Sequence, residues 1–350
     1  MNGAPRFAAP HPPDAGRRRF VQATAMAACV AAWPLSNAQS NPPARLRDSR
    51  TLMGTQVDIA AESSDAALLR PALDAAFDRM AALSAMMSHY ESTSRIAAIN
   101  LAAGLMPVAV PPELMQVLQM AQAMSRRSDG AFDVTIGSVG SWHFDPQNPR
   151  MPTSAYIARH LPDVDYRHLL LSPRDGTAQL TRRGMRVDPG GIAKLYILEA
   201  GLQTLKQRGL DTALINGGGD VVAMSRPAAR PWRVGVRDPR QPARLLGALE
   251  IREGFVASSG DYERFFVRDG RRYHHLLDPK TGYPVNGPHG VTLVGNELAA
   301  LNGLGAAAMV LGTSPARELI RSTPGVEGLI VGRDDSVWIT PSLRQRLAAA

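Results

Sequence analysis

The chain has 350 residues, enough for one large domain or two modest ones, and its 45% hydrophobic and 20% charged residues are the balance of a globular protein. That composition excludes collagen, coiled coil and wholesale disorder. The formal net charge of +8 is spread along the chain rather than gathered in a stripe, which argues against a nucleic-acid partner.

The first 38 residues read as an export signal of the twin-arginine type. Arg17-Arg18-Arg19-Phe20-Val21 is a basic segment, residues 23–33 are an apolar run too short to span a bilayer, and Ser36-Asn37-Ala38 is a small-x-small cleavage site. Removing this leader takes away four Arg and one Asp and leaves a net charge of +5. The single cysteine, Cys29, lies inside it, so the mature protein has neither disulfide nor thiol chemistry. Anchoring as a lipoprotein through Cys29 is the alternative. It is the weaker one, because the apolar run continues past Cys29 to a better cleavage site. The protein is therefore expected to be exported and periplasmic.

Residues 39–50 read as linker and residues 51–60 as a strand with Val57 and Ile59 on one face. Asp65 is placed to cap a helix that runs to about Met87 on a stripe of Leu68, Leu69, Leu73, Ala76, Met80 and Leu83. A polar loop, residues 88–94, leads to a short helix ending near Asn100. Pro111 or Pro112 starts the next helix, which stops at Ser128-Asp129-Gly130 just before Ala131-Phe132-Asp133. Residues 142–156 are Pro-rich and irregular, and residues 166–180 hold two strand-like runs around a Pro-Arg-Asp-Gly turn.

The organising stretch is Val187-Asp188-Pro189-Gly190-Gly191-Ile192-Ala193-Lys194. An extended run enters a Pro-Gly-Gly turn, and apolar residues at helical spacing leave it. Glycines permit close approach of the backbone to a bulky ligand, and helix N–H groups with Lys194 suit an anion such as phosphate. An ordinary loop-to-helix turn explains the same residues equally well. A buried-type strand at residues 212–216 then ends in Gly217-Gly218-Gly219-Asp220. This is neither a phosphate-binding Walker loop nor a dinucleotide fingerprint, because no Gly-Lys-Ser/Thr follows and no helix opens there.

From residue 232 to 294 strands follow at short intervals, as antiparallel hairpins do. Residues 299–311 form an Ala/Gly-rich helix, residues 315–322 another, and a final hairpin surrounds Gly332-Arg333-Asp334-Asp335. The expected fold is one α+β domain over residues 51–345, with helices packed on a mostly antiparallel sheet. His274 and His275 are neighbours on a strand and point to opposite faces, so at most one enters a given site. Asp278-Pro279-Lys280-Thr281-Gly282 has a simple explanation as a turn.

Taken together, seven segments occur in one order: Met53-Gly54-Thr55; Tyr90 with Ser94 and Asn100; Gly130 to Asp133; Asp188-x-Gly-Gly-Ile-Ala-Lys194; Ile215-Asn216-x-Gly-Gly-Gly-Asp220; Ser258-Ser259-Gly260-Asp261-Tyr262; and His275-x-x-Asp278-Pro279-x-Thr281-Gly282-x-Pro284. This order resembles the ApbE family of FAD:protein FMN transferases. The resemblance implies an enzyme that cleaves FAD, attaches FMN to a Thr or Ser of an acceptor flavoprotein and releases AMP with Mg²⁺ as cofactor. It further implies that Met53, Tyr90, Ala131, Phe132, Asp133, Asp188, Lys194 and Leu276 line the FAD site, with His275 taking the proton of the acceptor hydroxyl. An acceptor in a periplasmic or membrane redox complex would suit an exported member.

The family's metal positions fall on Gly191, Asn302 and Ala306. The family usually has Asp and Thr where this chain has Asn302 and Ala306, and an amide and a methyl are poor replacements for Mg²⁺ ligands. Leu195 stands where the family usually has Gly. An FAD-binding paralogue with little or no transferase activity is accordingly the alternative.

Overall fold

The computed structural model describes residues 43–349; the export signal and Cys29 lie outside the described residues. Residues Ser40–Ala350 form one compact unit. Its centre is an eight-stranded sheet in which every neighbouring pair is antiparallel. From one edge the strands are Ala44–Leu52, Thr55–Ser63, Thr212–Gly217, Asp220–Met224, Gly254–Gly260, Gly290–Gly295, Val326–Val331 and Val337–Ile339.

Both faces of this sheet are covered, and the strands record it. In Asp220–Met224 every residue is buried. Val222 and Met224 face the helical side, while Val221 and Ala223 face the other, as alternation along a strand requires. The helical side is a core of Leu73, Phe77, Met80, Leu118, Leu198 and Leu205 under the helices Ala66–Met87, Pro112–Arg127 and Ala193–Gln207. The opposite face is capped by the hairpin Trp232–Asp238/Gln241–Ile251, through Val234, Val236, Leu249 and Ile251.

Local chemistry places several elements where the sequence puts them. The Asp65 carboxylate accepts the Ala67 N–H at 2.9 Å and caps Ala66–Met87. Ser94 caps Arg95–Leu101 by accepting the Ala97 N–H. Asp278 closes its turn, its carbonyl accepting the Gly282 N–H at 2.7 Å and its carboxylate the Lys280 N–H at 2.8 Å.

Three elements differ from expectation. The supposed linker is a strand from Ala44, paired residue by residue with Thr55–Ser63 across a two-residue turn at Met53-Gly54. An edge strand is half solvated, and its charged residues made it look like linker. The helix expected over residues 299–311 is broken into Leu298–Leu301 and Leu304–Leu311, with Gly303 at φ +79° between them. An Ala/Gly-rich run hides such a break, because the glycine that allows it also looks like tight packing. Within the Pro-rich stretch, Thr153 caps a helix, Ser154–His160.

That stretch also props up the histidine hairpin. Trp142 donates to the Gly282 carbonyl at 3.1 Å and stacks beside Phe144 and Tyr273; Phe144 stacks on Phe266. Phe266 and Tyr273 belong to the hairpin Phe265–Arg268/Arg271–His274, which is thereby fixed just ahead of His275.

Candidate active site

Asp188 is presented at the end of an extended segment whose backbone is tied to its neighbours. Its N–H donates to the Val134 carbonyl at 2.7 Å, and Asn100 bonds both the N–H and the carbonyl of Val187. The carboxylate accepts the Gly190 N–H at 2.8 Å and lies 3.0 Å from Nδ1 of His89. Burial works to raise the Asp188 pKa, but His89 and the Gly190 N–H together bring it below the usual carboxylate value. Asp188 is thus an anion held by an imidazole.

The helix Ala193–Gln207 begins without a side-chain cap, which leaves its first N–H groups uncommitted to any side chain. Gly190 and Gly191 earn their place against protein atoms. A Cβ on Gly190 would stand 3.0 Å from Asp188 Oδ1, and one on Gly191 would stand 3.1 Å from the Phe132 ring. The closeness that the glycines allow here is therefore between loop and protein.

In the first turn of that helix, Lys194 Nζ lies 2.9 Å from Asp220 Oδ2, and the other Asp220 oxygen accepts the Ser258 N–H at 2.9 Å. The three glycines before Asp220 serve this placement. Gly218 and Gly219 have φ of +61° and +93° in the hairpin turn, and a Cβ on Gly217 would stand 2.8 Å from Leu198. The turn delivers Asp220 to the Lys194 ammonium.

His275 follows the hairpin, its N–H donating to the Arg264 carbonyl at 3.1 Å. Its Nδ1 is buried with no hydrogen-bond partner in the protein. Burial, reinforced by the charges of Arg264, His274 and Lys194, pushes its pKa down to about 4. The imidazole is a neutral base at pH 7. The strand expected to carry both histidines ends at His274, which is 1% exposed with its Nε2 2.9 Å from the Val285 carbonyl.

The charge of Lys194 bears on His275, and that of His275 on Asp188. Tyr90 joins them, its ring 78% exposed and packed on His89 at 3.8 Å between centroids. Met53 sits in the hairpin turn at φ +54°, an unusual conformation for a side chain of this type, beside Gly54 at φ +69°. Its carbonyl faces Arg264 Nη2 at 3.4 Å.

Asp133 stands apart in character. It is 7% exposed, and its carboxylate is spent on Thr135 N–H and hydroxyl at 2.8 and 2.6 Å and on the Tyr166 N–H at 2.9 Å. Burial pushes its pKa up against those hydrogen bonds. Three protein donors already occupy this carboxylate. Ala131 and Phe132 are buried beside it, Phe132 walling Gly191. Leu276 packs half-buried on the main core and accepts the Val285 N–H through its carbonyl.

A sequence profile of the ApbE family matches residues 53–330. The chain belongs to the ApbE family. That membership makes it a transferase. An FAD:protein FMN transferase from Treponema pallidum is 32% identical over 302 residues, covering 81% of this chain and 83% of the relative. Another, from Klebsiella pneumoniae, is 29% identical over 303 residues, covering 86% and 93%. Among solved structures, an ApbE protein of Thermotoga maritima superposes with a TM-score of 0.78 at 30% identity, over 87% of this chain and 99% of that one. The flavinyl transferase ApbE of Pseudomonas stutzeri gives 0.75 at 25% identity, over 89% and 99%.

Four residues of this ApbE site carried no role in the sequence reading: His89, Asp220 and Arg264 through their side chains and Ser258 through its N–H. Asp220 and Ser258 lay inside matched segments. His89 and Arg264 adjoin them without any local signal, since their partners are distant in sequence.

The Mg²⁺ expected of the family does not fit the residues present. Asn302 is 3% exposed, and the polar contact of its amide is the Met120 sulfur at 4.0 Å. The Ala306 Cβ faces Gly191, 3.8 Å from where a Cβ there would stand. Among the described residues no three His, Cys, Asp or Glu side chains converge as a metal site. The three positions Gly191, Asn302 and Ala306 therefore offer no side-chain oxygen except that of one buried amide.

Proposed function

We propose that this protein is an FAD:protein FMN transferase that moves FMN from FAD to a Thr or Ser hydroxyl of a partner flavoprotein and releases AMP. The single observation that carries this is the buried imidazole of His275, whose Nδ1 has no hydrogen-bond partner in the protein and whose pKa burial holds down at about 4. Phosphoryl transfer depends on positioning and on neutralising charge on oxygen, with little covalent chemistry for the protein. In this reading the His275 imidazole takes the proton of the acceptor hydroxyl as its oxygen attacks phosphorus. Lys194, anchored by Asp220, and the uncapped helix start meet the phosphate oxygens. Tyr90, exposed and packed on His89, flanks a flavin or adenine ring. Export to the periplasm, read from the leader, places the enzyme with acceptors there or in a membrane redox complex. Among the described residues no helix is long and apolar enough to cross a membrane.

The loss of oxygen ligands at Asn302 and Ala306 favours a second reading, an FAD-binding paralogue without transfer. Incubation of the mature protein with FAD and an acceptor domain separates the two. Transfer yields in-gel flavin fluorescence on the acceptor together with AMP, both lost in His275→Gln. A stable FAD complex that never releases AMP refutes the enzyme and leaves the binder.

A further inference from the structure

We propose that Arg264 supplies the positive charge on the FAD pyrophosphate that the degenerate metal positions cannot hold, so that FMN transfer here runs without a divalent ion. The inference rests on the transferase reading and names how its charge problem is solved. A pyrophosphate linkage is anionic, and its cleavage places further charge on the departing phosphate. Something cationic has to meet it.

The site holds three cationic or potentially cationic side chains besides His275, and two of them are already matched. Lys194 is paired with Asp220 at 2.9 Å, and His89 with Asp188 at 3.0 Å. Arg264 is different. Among the described residues its guanidinium meets only neutral partners, the Met53 carbonyl at a long 3.4 Å and the Tyr90 hydroxyl. Its neighbour Glu263 turns to Arg237, 3.5 Å away, and no carboxylate among the described residues pairs with Arg264. An exposed guanidinium beside Tyr90 and His275 with no carboxylate partner is open to an anionic ligand.

Its position is the right one. Nη2 lies 3.1 Å from where a Cβ on Gly54 would stand, so glycine at the second turn position leaves room for the guanidinium. It is close to the Tyr90 hydroxyl, and its charge bears on His275. The Arg264 carbonyl accepts the His275 N–H at 3.1 Å, directly after the Phe265–His274 pair of the hairpin. Base and cation are therefore carried side by side at the end of one hairpin, which packs on Trp142 and Phe144. An arginine fork also matches two phosphate oxygens at once, which an ammonium does not.

The step balances. The acceptor oxygen forms a bond to the FMN phosphorus, and the bond from that phosphorus to the bridging oxygen breaks. The electron pair leaves on the AMP phosphate, against which Arg264 lies, and the hydroxyl proton goes to His275.

The test compares transfer in excess EDTA with transfer in added Mg²⁺, for the wild-type protein and for Arg264→Gln and Arg264→Lys. Alongside it, FAD and riboflavin are titrated by flavin fluorescence, all in EDTA. Expected are equal wild-type rates in both buffers and a loss of ~10²-fold or more in Arg264→Gln that Mg²⁺ does not restore. Arg264→Lys recovers part of it. Arg264→Gln should also weaken FAD ~10-fold while leaving riboflavin, which has no phosphate, unchanged. Transfer that stops in EDTA and returns with Mg²⁺ overturns the inference, as does an Arg264→Gln protein with wild-type rate and FAD affinity. Wild-type protein that fails to transfer in either buffer sinks the transferase reading instead.

Discussion

Replacing His275 by glutamine should flatten the acid side of the stability curve. Burial, with the charges of Arg264, His274 and Lys194, lowers the folded-state pKa of this imidazole from an ordinary 6.5 to about 4. Between those two values the unfolded chain binds a proton that the folded chain refuses. Stability therefore rises with pH across that window; it is fully present above about pH 6.5 and is lost as pH falls toward about 4. Each pKa unit is worth about 1.4 kcal/mol, so the displacement corresponds to roughly 3 kcal/mol at most. Because the side chain is not wholly enclosed, about 2 kcal/mol is the expected share between about pH 7.5 and about pH 4.5. The assay is urea unfolding followed by tryptophan fluorescence at those two pH values, with wild type and His275→Gln in parallel. The wild type should lose about 2 kcal/mol more than the variant on acidification. Equal losses would show that His275 titrates normally in the folded state, and the neutral base in the proposed mechanism would go with it. The catalytic counterpart is an acid limb of the transfer rate near pH 4 rather than near 6.5.

Lys194→Met leaves the buried Asp220 with the Ser258 N–H alone; a loss of about 1–3 kcal/mol in urea unfolding and at least ~10-fold weaker FAD binding by fluorescence are expected. Asp261 is 1% exposed and lies 3.0 Å from Arg272, 3.3 Å from His289 and 3.2 Å from Arg333. Asp261→Asn should cost about 3 kcal/mol, read from the same unfolding curves, because two guanidinium groups and an imidazole lose their common carboxylate partner. The double substitution Asn302→Asp with Ala306→Thr puts a carboxylate and a hydroxyl at the degenerate positions. It should lower Tm without Mg²⁺, through a buried charge, and recover when Mg²⁺ is added. The wild type should show no such recovery, and a double variant insensitive to Mg²⁺ would mean that the two side chains do not converge on an ion.

Much of this protein was written locally. The Asp65 and Ser94 caps, the Asp278 turn and the apolar stripes of the long helices involve atoms a few residues apart, and such contacts follow from residue type and spacing. The family followed from the order of seven short segments. Other features needed the folded chain. Whether Ala44–Leu52 was linker or edge strand depended on a partner strand to pair with. Whether the Ala/Gly-rich segment was one helix or two turned on the backbone at Gly303.

The working charges of the site are of the second kind as well. Nothing near Lys194 foretells Asp220, nothing near Asp188 foretells His89, and Arg264 meets the Met53 carbonyl across 211 residues of chain. Sequence by itself determined which chemical groups are present, how the turns and caps begin, and to which family the chain belongs. Tertiary structure alone decided which charges are neutralised and which is left over, because pairing depends on distances between atoms that only the folded sheet brings together.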